Sequence, residues 1–102
     1  MKTESNKLMI MEIYTTDFCG YCLLAKRILK KKNIPFVEIN LNREPKKRLE
    51  MNQRSNGRTS VPQIFLHGSL IGGYTELSIL ERNGTLNPLV FEKNSGADVK
   101  TN

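Results

Sequence analysis

Cys19 and Cys22 are the residues of this chain whose type and spacing could carry out chemistry. They are the only two cysteines among the 102 residues, and Gly20 and Tyr21 stand between them. A Cys-X-X-Cys pair can help to hold a metal ion, close a structural disulfide or serve as a pair of reactive thiols. The choice depends on the other possible ligands and on the elements that position the pair.

Two of these three interpretations find little support in the sequence. A structural zinc ion commonly takes four cysteine or histidine ligands. The chain offers the two cysteines and one histidine, His67, so a zinc site within one chain is disfavoured. A static disulfide between residues this close would constrain the unfolded chain only slightly. A reactive dithiol is therefore the favoured interpretation.

A strand, a helix and a second strand are predicted around the pair. The apolar run at residues 8–14 predicts a buried strand. Apolar residues at helical spacing predict a helix over residues 21–32, which ends at an asparagine and a proline. Residues 35–40 predict the second strand. Such a unit has a right-handed crossover, and it places the cysteines at the beginning of the helix.

The rest of the chain completes an α/β fold with a four-stranded mixed sheet flanked by helices. The predicted elements are a helix over residues 43–56 that begins near Pro45, a strand over 60–66, a turn at 67–69, a strand at 70–71, a helix over 76–82 capped by Thr75, and one further turn at 86–91. The order is βαβ followed by αββα. Residues 1–92 are predicted to form one domain, and residues 93–102 a disordered tail.

The two cysteines are not equivalent in this arrangement. Cys19 stands where the helix begins, and the unpaired N–H groups and macrodipole of a helix N-terminus favour negative charge. Such a position lowers a thiol pKa from about 8.5 to between roughly 3.5 and 7.5, and the thiolate is the nucleophile in disulfide exchange. Cys22 lies one turn further along and is expected to be less exposed. We predict that Cys19 attacks and Cys22 resolves the mixed disulfide, with Gly20 allowing a tight turn and Tyr21 forming an aromatic wall.

The net charge of +6 comes from basic residues that are spread along the chain and are interpreted as solvated helix faces. No long basic tract is interleaved with aromatic residues, so a nucleic-acid partner is not expected. No apolar run approaches the roughly 20 residues of a membrane span, and the N-terminus has no signal-peptide pattern. We therefore expect a cytoplasmic protein without a membrane partner. In that reducing compartment, close cysteines are more often catalytic or metal-binding than structural.

Four stretches of the sequence resemble the glutaredoxin family, in the family's order. They are Ile-Tyr-Thr at 13–15, Cys-Gly-Tyr-Cys at 19–22, Arg-Thr-Ser-Val-Pro-Gln-Ile-Phe at 58–65 and Gly-Gly-Tyr-Thr-Glu-Leu at 72–77. A single Cys-X-X-Cys is a weak signal, whereas four ordered blocks with the right gaps are specific. The resemblance implies the thioredoxin fold, which agrees with the predicted order of elements.

The resemblance also implies a glutathione-dependent thiol–disulfide oxidoreductase. By this likeness Cys19 takes up glutathione from a protein–glutathione mixed disulfide, a second glutathione releases it, and Cys22 is needed only for protein disulfides. Val61–Pro62 resembles the family's cis-proline element. The implied glutathione-binding residues are Tyr21, Arg58, Ser60, Val61, Pro62, Gly73, Tyr74, Thr75 and Glu76. The implied partners are glutathione and glutathionylated or disulfide-bearing proteins, and the protein is expected to be a monomer.

Departures from the family pattern leave alternatives open. Gly20 replaces a common proline, and members with glycine there include some that carry a [2Fe–2S] cluster. The alternative function is thus an iron–sulfur carrier or sensor, a glutathione-ligated dimer with Cys19 as the cluster ligand. Thr16 stands where the family often has a lysine that contributes charge beside the nucleophile. Thr75 stands where some members have aspartate and could be only a helix cap, and Arg58 could be only a solvated loop charge.

Overall fold

The computed structural model describes residues 11–90 of the chain, which form a four-stranded mixed sheet with helices on both faces. The elements are, in chain order, β1 (Met11–Thr15), α1 (Gly20–Lys31), β2 (Val37–Asn40), α2 (Lys47–Arg54), β3 (Gln63–Leu66), β4 (Ser69–Gly72) and α3 (Tyr74–Arg82). Residues 86–90 are also helical. The predicted fold class and element order are confirmed. Residues 8–10 of the first predicted strand and the predicted tail at 93–102 lie outside the described residues.

The order of the strands explains why two distant parts of the chain meet at one edge of the sheet. The strands are arranged β2-β1-β3-β4, with β1 parallel to β2 and antiparallel to β3. Because β1 and β3 run in opposite directions, the end of β1 lies beside the start of β3, where Tyr14 pairs with Gln63. The loop after β1 leads to Cys19, and the segment before β3 contains Pro62. The sheet therefore brings the cysteine pair close to this proline.

Side chains of β1 alternate between two apolar clusters, as expected for a central strand that is covered on both faces. The larger cluster lies against α1 and α3. Its buried members are Met11, Ile13, Ala25, Leu29, Ile34, Ile64, Leu66, Leu77, Leu86 and Val90. The smaller cluster lies under α2, and its buried members are Tyr14, Leu41, Met51 and Phe65. Tyr14 and Met51 are both 0% exposed.

Arg54, at the end of α2, fastens this helix to the sheet. Its guanidinium lies 4.1 Å from the centre of the Phe65 ring, which is a cation–π contact. It also donates hydrogen bonds of 2.7 Å to the Tyr14 hydroxyl and 2.7 Å to the Glu12 carboxylate. Burial of the Tyr14 side chain is the main cause that raises its phenol pKa above the usual 10.0. The arginine thus packs on the aromatic cluster and pairs with the polar groups at its rim.

The prediction that α2 starts near Pro45 is wrong by two residues. The carbonyl oxygen of Asn40 accepts hydrogen bonds from the N–H groups of Arg43 and Glu44, at 3.0 Å and 2.9 Å. These bonds close a turn directly after β2, and the helix begins only at Lys47. The polar sequence between the two elements contains no signal that separates such a turn from a first helical turn.

The prediction that Thr75 caps the last helix is also wrong. The helix α3 begins at Tyr74, and its N-cap residue is Gly73. The Glu76 side chain reaches back and accepts a hydrogen bond of 2.7 Å from the Gly73 N–H. This is the acidic half of a capping box, and it starts the helix two residues earlier than the threonine pattern indicated. Thr75 lies within the first turn.

The packing between α1 and α3 yields a test of the larger cluster. Leu77→Ala deletes a side chain that is 0% exposed there, so we expect the free energy of unfolding to fall by about 2–5 kcal/mol. Leu49→Ala makes the same deletion at a side chain that is 63% exposed, and should change it by less than about 0.5 kcal/mol. Urea unfolding of both variants in reducing buffer provides the comparison. Equal losses for the two variants would contradict this packing.

Candidate active site

Cys19 is the N-cap residue of α1. Its backbone is extended, with φ −141° and ψ 104°, and its sulfur accepts a hydrogen bond from the Cys22 N–H at 3.0 Å. The structure shows the two cysteines joined as a disulfide, with their Cα atoms 5.2 Å apart. Cys22 is only 1% exposed, whereas Cys19 is partly exposed. This difference fits the predicted division of roles, in which Cys19 meets the substrate and Cys22 acts from beneath it.

The segment before β3 faces the sulfur of Cys19. The Cys19 Sγ lies 3.8 Å from the carbonyl oxygen of Val61, and the peptide bond between Val61 and Pro62 is cis. The cis proline that the family resemblance implied is therefore present. Within residues 11–90, no group of three or more histidine, cysteine, aspartate and glutamate side chains could hold a metal ion.

Gly20 is not required by the backbone at this point. It is the first residue of α1, it is absent from the glycines with positive φ, and a Cβ atom built on it would meet nothing within 4 Å. Gly20 was predicted to allow a tight turn, but it has no positive φ, so the backbone here does not depend on a glycine. The backbone of Cys19 is extended, a conformation that any residue can adopt.

A cleft of about 630 Å³ opens between the starts of α1 and α3 and the loop before β3. It collects all nine residues that the family resemblance implied for glutathione, namely Tyr21, Arg58, Ser60, Val61, Pro62, Gly73, Tyr74, Thr75 and Glu76. Three further residues line it that the sequence analysis had not singled out: Gly57, Thr59 and Gln63. Thr59 and Gln63 lie within the block at 58–65 that resembles the family, so the sequence did offer a signal for these two residues.

Two tyrosine rings join the walls of the cleft. Tyr21, from α1, stacks on Tyr74, from α3, with ring centroids 5.5 Å apart and ring planes 27° apart. Offset or tilted stacking at this distance is favourable for aromatic pairs. The predicted aromatic wall at Tyr21 is therefore present, and Tyr74 extends it.

The loop before β3 is held by hydrogen bonds from three side chains, of which Asn52 and Ser55 carried no signal in the sequence. Asn52 donates a hydrogen bond of 2.5 Å to the carbonyl oxygen of Arg58, and the hydroxyl of Ser55 lies 3.3 Å from the same oxygen. The buried amide of Gln63 donates a hydrogen bond of 3.1 Å to the carbonyl oxygen of Ser60. These bonds fix the backbone that presents Val61 to the cleft.

Charges in the cleft are concentrated at the start of α3. Hydrogen bonds from the Gly73 N–H and from its own N–H lower the pKa of the Glu76 carboxyl below the usual 4.5, and the positive charge of Arg58 contributes less. The cleft thus contains a helix N-terminus, one guanidinium and one carboxylate. Such a set can hold both an anionic and a cationic group of one small ligand.

Thr16 does not reach the cleft. It lines a separate polar pocket beside the loop after β1, together with Asp17, Lys26, Glu38, Asn40, Arg43 and Glu44. In that loop the Asp17 carboxylate accepts a hydrogen bond of 2.9 Å from Asn40, and its backbone N–H donates one of 2.6 Å to Asn42. The family often has lysine at the position of Thr16. In this chain that position lies in a loop held by hydrogen bonds with Asn40 and Asn42.

A four-stranded mixed sheet with a disulfide-forming Cys-X-X-Cys at the start of its first helix, facing a cis proline, defines a thiol–disulfide oxidoreductase of the thioredoxin superfamily. The sequence matches the family model of glutaredoxin over residues 11–71. The chain therefore belongs to the glutaredoxin family.

Individual relatives agree with this assignment. The chain is 45% identical over 80 residues to glutaredoxin 3 of Escherichia coli K12, a match that covers 78% of this chain and 95% of that protein. It is 42% identical over 78 residues to a glutaredoxin of Pseudomonas aeruginosa, covering 76% and 92%. The solution structure of the Brucella melitensis glutaredoxin superposes with a TM-score of 0.70 at 39% identity, covering 82% and 90%.

The helix start of α3 gives a pH-dependent prediction. Because folding lowers the pKa of Glu76, its carboxylate stabilises the fold above pH 4.5, and this contribution is lost as pH falls through the lowered pKa. We expect Glu76→Ala to be less stable than the wild type at pH 7 by about 0.3–1 kcal/mol, and the difference should shrink in acid, where the neutral carboxyl remains only an uncharged acceptor.

Chemical unfolding at a series of pH values measures this difference. Glu76→Gln keeps an acceptor for the Gly73 N–H without the charge, so its difference from the wild type should be smaller. A Glu76→Ala difference that stays constant from pH 7 to pH 3 would contradict the proposed role of the charge.

Proposed function

We propose that this glutaredoxin uses glutathione to reduce protein–glutathione mixed disulfides and protein disulfides. One observation carries the proposal: a single cleft, adjacent to Cys19 across Val61, collects all nine residues implied for glutathione. Membership of the glutaredoxin family supports the thiol–disulfide chemistry. A glutaredoxin from buckwheat, which shares the fold with a TM-score of 0.74 at 24% identity, has been crystallised as a glutathione complex.

The first half-reaction begins at Cys19. Its thiolate attacks the glutathione sulfur of a mixed disulfide, a bond forms between Cys19 and glutathione, and the substrate thiolate leaves and takes up a proton. The Cys22 N–H, 3.0 Å from the Cys19 sulfur, stabilises the thiolate together with the helix dipole. A second glutathione thiolate then attacks the bound glutathione sulfur, which releases glutathione disulfide and restores the thiolate of Cys19.

Protein disulfides require the second cysteine. When Cys19 has formed a mixed disulfide with a protein, the Cys22 thiolate attacks the Cys19 sulfur and releases the protein thiol. The product is the Cys19–Cys22 disulfide that the structure contains. Two glutathiones reduce this disulfide in turn and leave as glutathione disulfide. The burial of Cys22 suits a residue that reacts only with its neighbour.

The cleft offers a group for each part of glutathione. The backbone of Val61 can pair with the cysteine residue of glutathione in the manner of an added strand. The helix start at Tyr74 and Thr75 can accept the γ-glutamyl carboxylate, and Arg58 can pair with the glycyl carboxylate. Glu76, already bound to the Gly73 N–H, supplies a negative charge for the γ-glutamyl ammonium.

The remaining expectations are proposals of the same kind. We propose that the protein acts as a monomer in the reducing cytoplasm. In the described part of the chain, no helix is long and apolar enough to cross a membrane. The iron–sulfur alternative rests on Gly20 alone, and nothing observed in residues 11–90 adds support to it.

The assignment of the nucleophile has a direct test. With a mixed disulfide of glutathione and a small thiol as substrate, Cys19→Ser should be inactive, because no thiolate remains at the helix start. Cys22→Ser should keep turning over this substrate but should lose activity on a protein disulfide. Steady-state assays coupled to glutathione disulfide formation measure both. Activity in Cys19→Ser would overturn the assigned roles, and an inactive wild type would overturn the proposed function.

The role of Arg58 has a separate test. Arg58→Ala removes the cation proposed to meet the glycyl carboxylate, so the KM for the small glutathione mixed disulfide should rise about two- to fivefold, the size of an exposed ion pair. The kcat should hardly change, because the contact is made equally before and during reaction. Arg82→Ala, an exposed arginine outside the cleft, is the matched control. An unchanged KM in Arg58→Ala would leave Arg58 as a solvated loop charge.

A further inference from the structure

One face of α1 carries exposed side chains that the glutathione chemistry does not use. Leu23 follows Cys19 by four residues, Arg27 follows Leu23 by four, and Lys30 and Lys31 follow three and four residues later. Residues at this spacing lie on one face of a helix. We call Leu23, Arg27, Lys30 and Lys31 the α1 stripe. With Lys26 they line a shallow depression of about 590 Å³.

The end of the stripe near Cys19 is apolar and open to solvent. The Leu23 side chain is 58% exposed, and Phe18, which directly precedes Cys19, is fully exposed. Neither residue lines the glutathione cleft. Exposed apolar side chains that are grouped beside a reactive atom are typical of a contact surface. This surface stays available when the cleft is occupied.

The other end of the stripe is a cluster of exposed positive charges. Lys26 pairs with Glu38 at 2.9 Å, and Lys32 pairs with Glu81 at 3.5 Å. Arg27, Lys30 and Lys31 are exposed and form no ion pair within residues 11–90. Their grouping produces a local positive field, which favours a negatively charged partner.

We propose that the α1 stripe and Phe18 dock the protein half of a disulfide substrate. The partner is an extended segment with an apolar residue beside its reacting cysteine and acidic residues further along. At a rise of about 1.5 Å per helical residue, Arg27 lies about 12 Å and Lys30 about 16 Å along α1 from Cys19. An extended chain advances about 3.4 Å per residue, so the acidic residues lie about three to five positions from the cysteine.

The inference rests on the proposed function and specifies its substrates. Glutathione occupies the cleft on one side of Cys19, and the leaving protein thiol lies on the side of the α1 stripe. The bond that breaks is the disulfide between glutathione and the protein, and the bond that forms joins Cys19 to glutathione. The stripe contributes only to recognition, by apolar contact near the sulfur and by charge attraction further away.

Two glutathionylated peptides provide the test. Both carry one cysteine in mixed disulfide with glutathione and a leucine next to it. One has aspartates three to five positions from the cysteine, and the other has lysines there. We expect wild-type kcat/KM to be about tenfold higher for the acidic peptide, a modest electrostatic gain in association rate. Added salt should erode this preference.

Two triple variants that remove equal charge separate the stripe from the net charge. Arg27→Gln, Lys30→Gln and Lys31→Gln together should abolish the preference for the acidic peptide. Lys46→Gln, Lys47→Gln and Arg82→Gln together remove as many positive charges elsewhere and should keep it. The small glutathione mixed disulfide serves as the common reference, and both triple variants should turn it over like the wild type, which also shows that they fold.

Each outcome decides the inference. Equal turnover of the two peptides by the wild type, or loss of the preference in both triple variants, would overturn it. Stripe-dependent binding to anionic lipid vesicles or duplex DNA, with equal turnover of the peptides, would assign the stripe to that partner instead. If the wild type fails on the small mixed disulfide as well, the proposed function fails and not only the inference.

Discussion

The hydrogen bond from the Cys22 N–H to the Cys19 sulfur is the interaction on which the site depends. A helix start leaves its first N–H groups without backbone partners, and here a sulfur atom takes one of them at 3.0 Å. In the proposed mechanism, the contact that caps the helix also stabilises the negative charge on the Cys19 thiolate. The start of α1 and the proposed nucleophile therefore depend on the same hydrogen bond.

Other segments of the fold form the walls of the cleft around the start of α1. The antiparallel pairing of β1 and β3 places Val61 opposite Cys19, and the bonds from Asn52 and Gln63 hold the loop that carries it. Arg54 contacts the ring of Phe65 and so holds α2 against the sheet. Asn52 belongs to this helix. Packing contacts and hydrogen bonds thus connect the core to the wall of the cleft.

Positive charge lies on two surfaces, for which we propose different uses. In the cleft, Arg58 and the start of α3 lie close to the carboxylate of Glu76, so the local field changes sign over a short distance and suits a small zwitterionic ligand. On the α1 stripe the charges have one sign and spread over a helix face. A field of that kind acts over about a Debye length, which suits longer segments of a protein. The positions of the positive charges therefore say more about possible ligands than the net charge of +6 does.

Much of the fold follows from local patterns in the sequence. Apolar runs and helical spacing predicted the order of the elements. The cleft residues were predicted through likeness to a family, because residues near 21, 60 and 75 have no local reason to meet. Asn52 and Ser55 carried no signal, since a polar residue on a charged helix is indistinguishable from a solvated one until its partner is known.

The sequence by itself determined the chemistry: two thiols at the spacing of one helical turn, preceded by a strand and followed by an amphipathic helix. The tertiary structure alone decided that Thr16 lines a separate polar pocket and not the cleft itself, because its neighbours in that pocket, Lys26 and Glu38, come from α1 and β2. It alone decided that Gly20 is replaceable, since the space around a Cβ atom depends on neighbours from elsewhere in the chain. Local patterns record what a segment prefers, whereas contacts between distant segments select among those preferences.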